Sequence, residues 1–363
     1  METTASVDRY GVLCCSLSCV DMMLMAAERP KTLEAITSFD GTKQEAGGSC
    51  SNTSRVLGSS QIRVLASTLL GDDPHGKELL RQLNDSGVNT DHVVIDPEVN
   101  TSLAVLPVFK GGGRGCYVDL GANSVATPEK LFGDKLDVFA RVPFCKVFHF
   151  GYPHLMGNLQ GENLDKMFSA ARRASLLVSL DINGADKPEP SVITEALRHC
   201  FFVHANLEEA AFCCFGASMD EENATVEDIT SLGNFFLSRG AGVVSISLGA
   251  DGAYLATNTD PDTLEKLSEG ILKGTSAGLR VFRGPYMPEG AINSTGAGDA
   301  FVAGALAYTV SCLQTITTLD PNLLLDYALI SACLHIDAAR SVPTYEELGV
   351  ILSQTTRLPS KFC

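Results

Sequence analysis

Residues 293–301 read Asn293-Ser294-Thr295-Gly296-Ala297-Gly298-Asp299-Ala300-Phe301. Two glycines flank an alanine, a carboxylate follows, and small and apolar residues begin at once. The run from Ala300 to Val310 is broken only by Gly304 and reads as a helix. The glycines therefore stand at a helix N-terminus, where unpaired N–H groups point outward and the macrodipole adds partial positive charge. Such a place holds an anion. An aspartate beside it repels that anion, but makes chemical sense as a base next to a phosphoryl group. The plainer reading of the same residues is a tight turn with an N-cap aspartate.

The chain has 363 residues, 45% of them hydrophobic and 19% charged, an ordinary globular composition with room for one to three domains. Its formal net charge is −16 and no Lys/Arg cluster stands out, which argues against a nucleic-acid binder. The overall field also repels any anionic ligand, so local donors and a metal ion must hold it. The 12 cysteines form no C-x-x-C pair and mostly fall in apolar segments; they read as reduced thiols of a cytoplasmic protein. Tyr10 to Ala27 is apolar but lacks a basic flank and is interrupted by Asp21. A buried strand followed by a turn is expected there rather than a signal or a membrane span.

Apolar β-rich runs alternate with helical ones. Val12 to Cys19, Ile62 to Leu69, Lys146 to Phe150, Leu176 to Asp181, Phe201 to Ala205 and Gly242 to Leu248 read as strands. Ser49 to Leu57, Lys77 to Ser86 and Glu162 to Arg173 read as helices. This alternation predicts an α/β fold with a mostly parallel central sheet and helices on both faces. Two segments break the pattern: 20–45, and 101–120, where Thr101–Phe109 and Gly115–Leu120 flank Lys110-Gly111-Gly112-Gly113-Arg114. That glycine cluster reads as a hairpin turn, because strands flank it and no helix follows. Asp260 to Gly278 reads as an inserted loop.

A second string, Ala46-Gly47-Gly48-Ser49-Cys50-Ser51-Asn52, places an Asn four residues after a Gly-Gly pair. Together with Gly296–Asp299 it resembles the paired signature of the ribokinase-like (PfkB) family of carbohydrate kinases. The resemblance runs from about Val12 to Glu347 and implies a three-layer sandwich with a small β-sheet lid. Residues 1–19, 46–100 and 121–363 would form the main α/β domain, and 20–45 and 101–120 the lid. Asp299 would then be the catalytic base, with the amides of Gly296, Ala297 and Gly298 holding the moving phosphoryl group. Gly47, Gly48, Asn52, Asp21 and Asn123 would bind sugar. Asn206-Leu207-Glu208-Glu209 resembles the family's N-x-x-E, assigning Asn206 and Glu209 to magnesium; its plainer reading is a helix capping box. Asn183, Ser247, Gly249, Gly252 and Thr295 would lie beside ATP, and Asn206 with them. Ser341-Val342-Pro343-Thr344 resembles the family's C-terminal S-x-P.

Some positions depart from the family. Asn293 and Asp337 replace residues linked to a monovalent cation, so the resemblance implies ATP and magnesium and leaves potassium open. Ser49 follows Gly-Gly where ribokinases place Lys, closer to ketohexokinase, and Cys19 replaces an Asn two residues before Asp21. Gly71-Asp72-Asp73-Pro74-His75-Gly76-Lys77-Glu78 misses a P-loop, since Glu78 stands where Ser or Thr is needed and Pro74 removes an N–H. It reads as a turn before a helix. The implied activity is transfer of the γ-phosphoryl group of Mg-ATP to a hydroxyl of a small carbohydrate. A nucleoside kinase with a purine slot near Phe109 or Tyr117 is the alternative, and a non-catalytic metabolite-binding relative the second. A dehydrogenase is disfavoured because no G-x-G-x-x-G follows the first strand. No membrane or nucleic-acid partner is expected. Exposed lid edges suggest a homodimer.

Overall fold

The computed structural model describes residues 10–32, 34–182, 189–290, 294–337 and 342–362. Asn183, Asn293 and Ser341 lie outside them. Fourteen strands are present among the described residues. In chain order they are β1 Gly11–Cys15, β2 Cys19–Ala27, β3 Thr42–Gly47, β4 Arg63–Ser67, β5 Leu69–Gly71, β6 Val94–Asp96 and β7 Leu103–Phe109. There follow β8 Tyr117–Asp119, β9 Cys145–Gly151, β10 Leu177–Asp181, β11 Phe202–Asn206, β12 Val243–Ser247, β13 Ala253–Thr257 and β14 Arg280–Arg283.

Eight strands form the central sheet in the order β14-β13-β12-β11-β10-β9-β1-β4. Six run parallel, and β13 and β14 close one edge antiparallel. Its strands are near-continuous apolar runs because helices cover both faces. Within β1, Leu13 and Cys15 enter one core while Val12 and Cys14 enter the other, the alternation that a strand imposes. The helix Ala297–Thr315 is buried over most of its circumference, as expected of a helix that is apolar all round. Gly304 lets it press on the next helix, Pro321–Ile336, where a Cβ would overlap the Tyr327 carbonyl.

A second sheet, β3-β2-β7-β8, holds the two segments that interrupt the alternation. Its β7–β8 hairpin turns through Lys110–Arg114 as the glycines predict, with Phe109 N–H donating to the Gly113 carbonyl. β5 and β6 pair separately.

Three readings are corrected. The segment from Val12 to Cys19 is not one strand: β1 ends at Cys15 and the chain turns out into the second sheet. Ser16 Oγ donates to the Gly151 carbonyl, and the Asn123 side chain holds both the N–H and the carbonyl of Ser18. These long-range bonds stabilise a bend that apolar character alone does not signal. Asp21 consequently sits within β2, paired with Glu45 and Ala104, not at the end of the first strand. Finally, Asp260 to Gly278 is not a plain loop: Asp260 caps a helix over Pro261–Leu267, an Asp-Pro start signal that goes unread in the sequence.

Candidate active site

The parallel strands all deliver their C-terminal ends to one side, where the second sheet stands over them. A cavity of about 1240 Å³ opens there, where ligands of open parallel sheets bind. Its wall includes Asp21, Ala104 and Leu106 from the second sheet. Tyr152 after β9, Asn206 at the end of β11 and Ser247 at the end of β12 come from the central sheet.

Ser294, Thr295, Gly296, Ala297 and Gly298 line this cavity. Gly296, at φ 77° and ψ 7°, takes the third position of a type II turn, which needs a positive φ. The turn closes by donation from Ala297 N–H to the Ser294 carbonyl at 3.2 Å. The Ala297 amide is therefore engaged in the turn, a correction to the expectation that it is free for a phosphoryl group. No side chain caps the helix that follows, and Gly298 and Asp299 sit in its first turn. His335 Nε2 lies 3.1 Å from the Thr295 carbonyl and braces the turn from behind.

Asp299 is fully buried next to the cavity-lining Gly298, and its company is polar. Oδ2 accepts from Asn52 Nδ2 at 3.0 Å and from the Tyr152 hydroxyl at 3.1 Å. Oδ1 has no hydrogen-bond partner among the described residues, and the Ser49 hydroxyl lies alongside outside bonding geometry. Burial, then the charge of Asp181, push its pKa from 3.8 to about 7, against the hydrogen bonds from Asn52 and Tyr152. A carboxyl poised there can exchange a proton near neutrality.

Also on the cavity wall, Asp21 accepts from Cys19 Sγ at 3.3 Å. Burial raises its pKa, countered by that bond and by Arg114. Gly47 faces it without lining the cavity; a Cβ there would overlap the Asp21 carboxylate. Gly48, at φ 83°, and Asn52 do line it. Asn123 does not. It is buried, and both ends of its amide are engaged by the Ser18 backbone, so the sugar role expected for it gives way to a structural one.

Asn206 and Glu209 form the capping box of the helix Leu207–Phe215, each accepting from the other's N–H at 2.9 Å. Both also line the cavity, with Glu208. Burial and the charges of Asp181 and Asp299 push Glu209 up to about 8. An oxygen set of this kind, short of countercharge, suits magnesium, which takes few protein ligands. Ser247 and Gly249 line the same end. Gly252 does not: at φ 93° it packs against β14, where a Cβ would overlap the Arg283 carbonyl. Its expected place beside the nucleotide is thus corrected to a strand contact.

The family model for pfkB family carbohydrate kinase matches residues 15–313. The chain belongs to this PfkB family. It is 27% identical over 244 residues to fructokinase-2 of Oryza sativa, covering 65% of this chain and 62% of the relative. Against a bifunctional ribokinase/ribose-5-phosphate isomerase A of Fructilactobacillus sanfranciscensis it is 23% identical over 311 residues, 85% of this chain. The chain spans about half the length of that relative. Ribokinase of Arabidopsis thaliana, solved in complex with ribose and ATP, superposes with a TM-score of 0.74 at 20% identity, covering 95% of this chain and 99% of that one. The fold is thus the ribokinase fold.

Within this PfkB chain the structure adds side chains that sequence reasoning passes over. Tyr152 reaches Asp299 from the turn after β9, in a Gly151-Tyr152-Pro153 string with no motif of its own. His204 lines the cavity, donates Nδ1–H to Asp181 at 2.8 Å and stacks on Phe301 at 4.7 Å. A histidine in an otherwise apolar strand was its one signal. Neither Phe109 nor Tyr117 lines the cavity: Phe109 lies under the Arg29 guanidinium and Tyr117 is 71% exposed. The purine slot expected of a nucleoside kinase is not built from them.

Proposed function

We propose that the protein is an ATP-dependent sugar kinase, transferring the γ-phosphoryl group of Mg-ATP to a hydroxyl of a small neutral carbohydrate of the ribose or ketohexose kind. One observation carries the reading: a buried carboxyl, its pKa pushed up to about 7, directly follows the helix-opening turn Gly296–Gly298, which lines the same cavity as Asp21. Asp21 would accept hydrogen bonds from sugar hydroxyls, with Gly48 allowing close backbone approach. The attacking hydroxyl would reach Asp299, which takes its proton as the bond to phosphorus forms. The amides of Gly296 and Gly298, on either side of the turn-bonded Ala297, would stabilise charge on the transferring group.

ATP would lie toward Thr295, Ser247 and Gly249. Asn206 and Glu209 would hold magnesium, with the carboxylate direct or through water. That ion, when bound, neutralises charge on the phosphates. Closure of the second sheet, residues 20–45 and 101–120, as a lid over the cavity would exclude water. Pairing of two such sheets through their edges would give a homodimer. No helix among the described residues is long and apolar enough to cross a membrane; a cytoplasmic setting fits thiols such as Cys14, Cys15, Cys50 and Cys145, which are buried and unbridged.

The test is ADP release from Mg-ATP with D-ribose, D-fructose or adenosine. Turnover with a sugar supports the reading, and preference for adenosine moves it to a nucleoside kinase. ADP release that no acceptor stimulates would leave a metabolite-binding relative.

A further inference from the structure

One oxygen of the base in the proposed reaction, Asp299 Oδ2, is engaged in this structure by side chains of the chain itself, Asn52 and Tyr152. Tyr152 Oη donates to Asp299 Oδ2 at 3.1 Å, and the carboxylate is fully buried behind it. Tyr152 lines the cavity, and its hydroxyl reaches from that wall to the buried carboxylate. Its backbone is unusual as well: φ is 52° and ψ 46°, a left-handed conformation that a side chain as bulky as tyrosine rarely adopts. The conformation is held by donation from Tyr152 N–H to the Asp181 carbonyl at 3.1 Å and by the short turn Pro153–Leu155 that follows.

A general base acts on the hydroxyl that hydrogen-bonds to it. The Tyr152 hydroxyl holds that position on Oδ2. We infer that Tyr152 keeps the place of the acceptor hydroxyl on Asp299 until a sugar displaces it, and so makes the enzyme discriminate between sugar and water as phosphoryl acceptor. This rests on the sugar-kinase reading and adds a positioning residue to it.

A sugar brings several hydroxyls to Asp21 and the Gly48 region, and that binding offsets the displacement of the tyrosine. A single water brings no such anchorage. With the tyrosine hydroxyl gone from that place, the competing reaction is simple. A water hydrogen-bonded to Asp299 attacks the γ-phosphorus of ATP. The bond from that phosphorus to the β,γ-bridging oxygen breaks, ADP departs with the electron pair, and the water proton passes to Asp299. The products are ADP and inorganic phosphate.

The experiment measures ADP release from Mg-ATP with no sugar present, in wild type, Tyr152→Phe and Tyr152→Ala, each with and without Asp299→Asn. Sugar-free release is expected to rise about tenfold or more in the single Tyr152 variants. It is expected to fall back to the wild-type level when Asp299→Asn is added. A purely structural tyrosine would lower activity without creating hydrolysis that depends on Asp299. Thermal shift with a non-hydrolysable ATP analogue identifies which variants keep the nucleotide site, and the phenylalanine variant, closest in shape, carries the comparison if alanine loosens the turn. Release at the wild-type level in the single variants overturns the inference, as does a rise that survives Asp299→Asn. A wild-type enzyme lacking any sugar-stimulated ADP release would instead overturn the reading beneath it.

Discussion

Asp299→Asn should make the protein more stable and nearly inactive, and the gain in stability should depend on pH in a defined way. The carboxyl is buried and its pKa is raised from 3.8 to about 7. Below pH ~4 it is protonated in both folded and unfolded chains. As pH rises toward 7 the unfolded carboxyl ionises while the folded one keeps its proton, and stability falls by ~1.4 kcal/mol per pH unit. Above 7 both are ionised and the loss levels off at about 4 kcal/mol. Asparagine has the same shape, and its carbonyl oxygen can accept from Asn52 and Tyr152 as Oδ2 does. It carries no ionisation penalty. Variant and wild type should therefore denature alike at pH ~4, diverge in favour of the variant between ~4 and ~7, and differ by a constant amount above. Urea unfolding of both proteins at several pH values reads this directly, because ionisable groups that do not feel the Asp299 charge cancel in the difference. Turnover should drop by about 10²–10⁴ with the base removed, while wild-type kcat/KM should climb with pH through about 7. A stability difference that is flat with pH, a less stable variant at pH ~8, or near-wild-type turnover would refute the reasoning.

Gly47→Ala places a Cβ on the Asp21 carboxylate; KM for the sugar should rise with little change in KM for ATP, checked by varying each substrate in turn. Glu209→Gln keeps the capping box, since glutamine serves at that position, but removes the charge; titration of activity with magnesium should show a higher half-saturating concentration. Because Glu209 is raised to about 8 in the folded chain, wild-type stability from this group is lost as pH rises from ~4.5 through that value, and the glutamine variant should escape the loss. Gly296→Ala forces alanine into a φ of 77° with its Cβ 2.9 Å from His335 Nε2. It should cost about 1–2 kcal/mol in denaturant melts and lower kcat by distorting the turn beneath the transferring group.

Much of the site is local and was open to reading in the sequence. Gly296 takes a positive φ that the turn needs, and Asn206 with Glu209 closes a box three residues wide. Asp73 caps its helix by accepting from Gly76 N–H at 2.8 Å, which disposes of the apparent P-loop. Each depends on hydrogen bonds between near neighbours, so the order of residues alone specifies it. The alternation of apolar strands and helices likewise determined the parallel sheet, since both faces of each strand had to be apolar.

What the sequence could not decide is which side chains converge. Asn52 and Tyr152 meet Asp299 across 247 and 147 positions of chain. Asn123, which a motif assigned to sugar, is drawn instead to the Ser18 backbone 105 positions away. Gly252 serves β14 rather than a nucleotide. The elevated pKa of Asp299 has the same origin: burial removes water from the carboxyl and brings Asp181 near it. Desolvation and through-space charge belong to the packed molecule. Residue order determined that a glycine turn and a carboxylate stand side by side at a helix start; only tertiary packing decided that the carboxylate is dry, pushed up to about 7 and hydrogen-bonded by a distant asparagine and tyrosine.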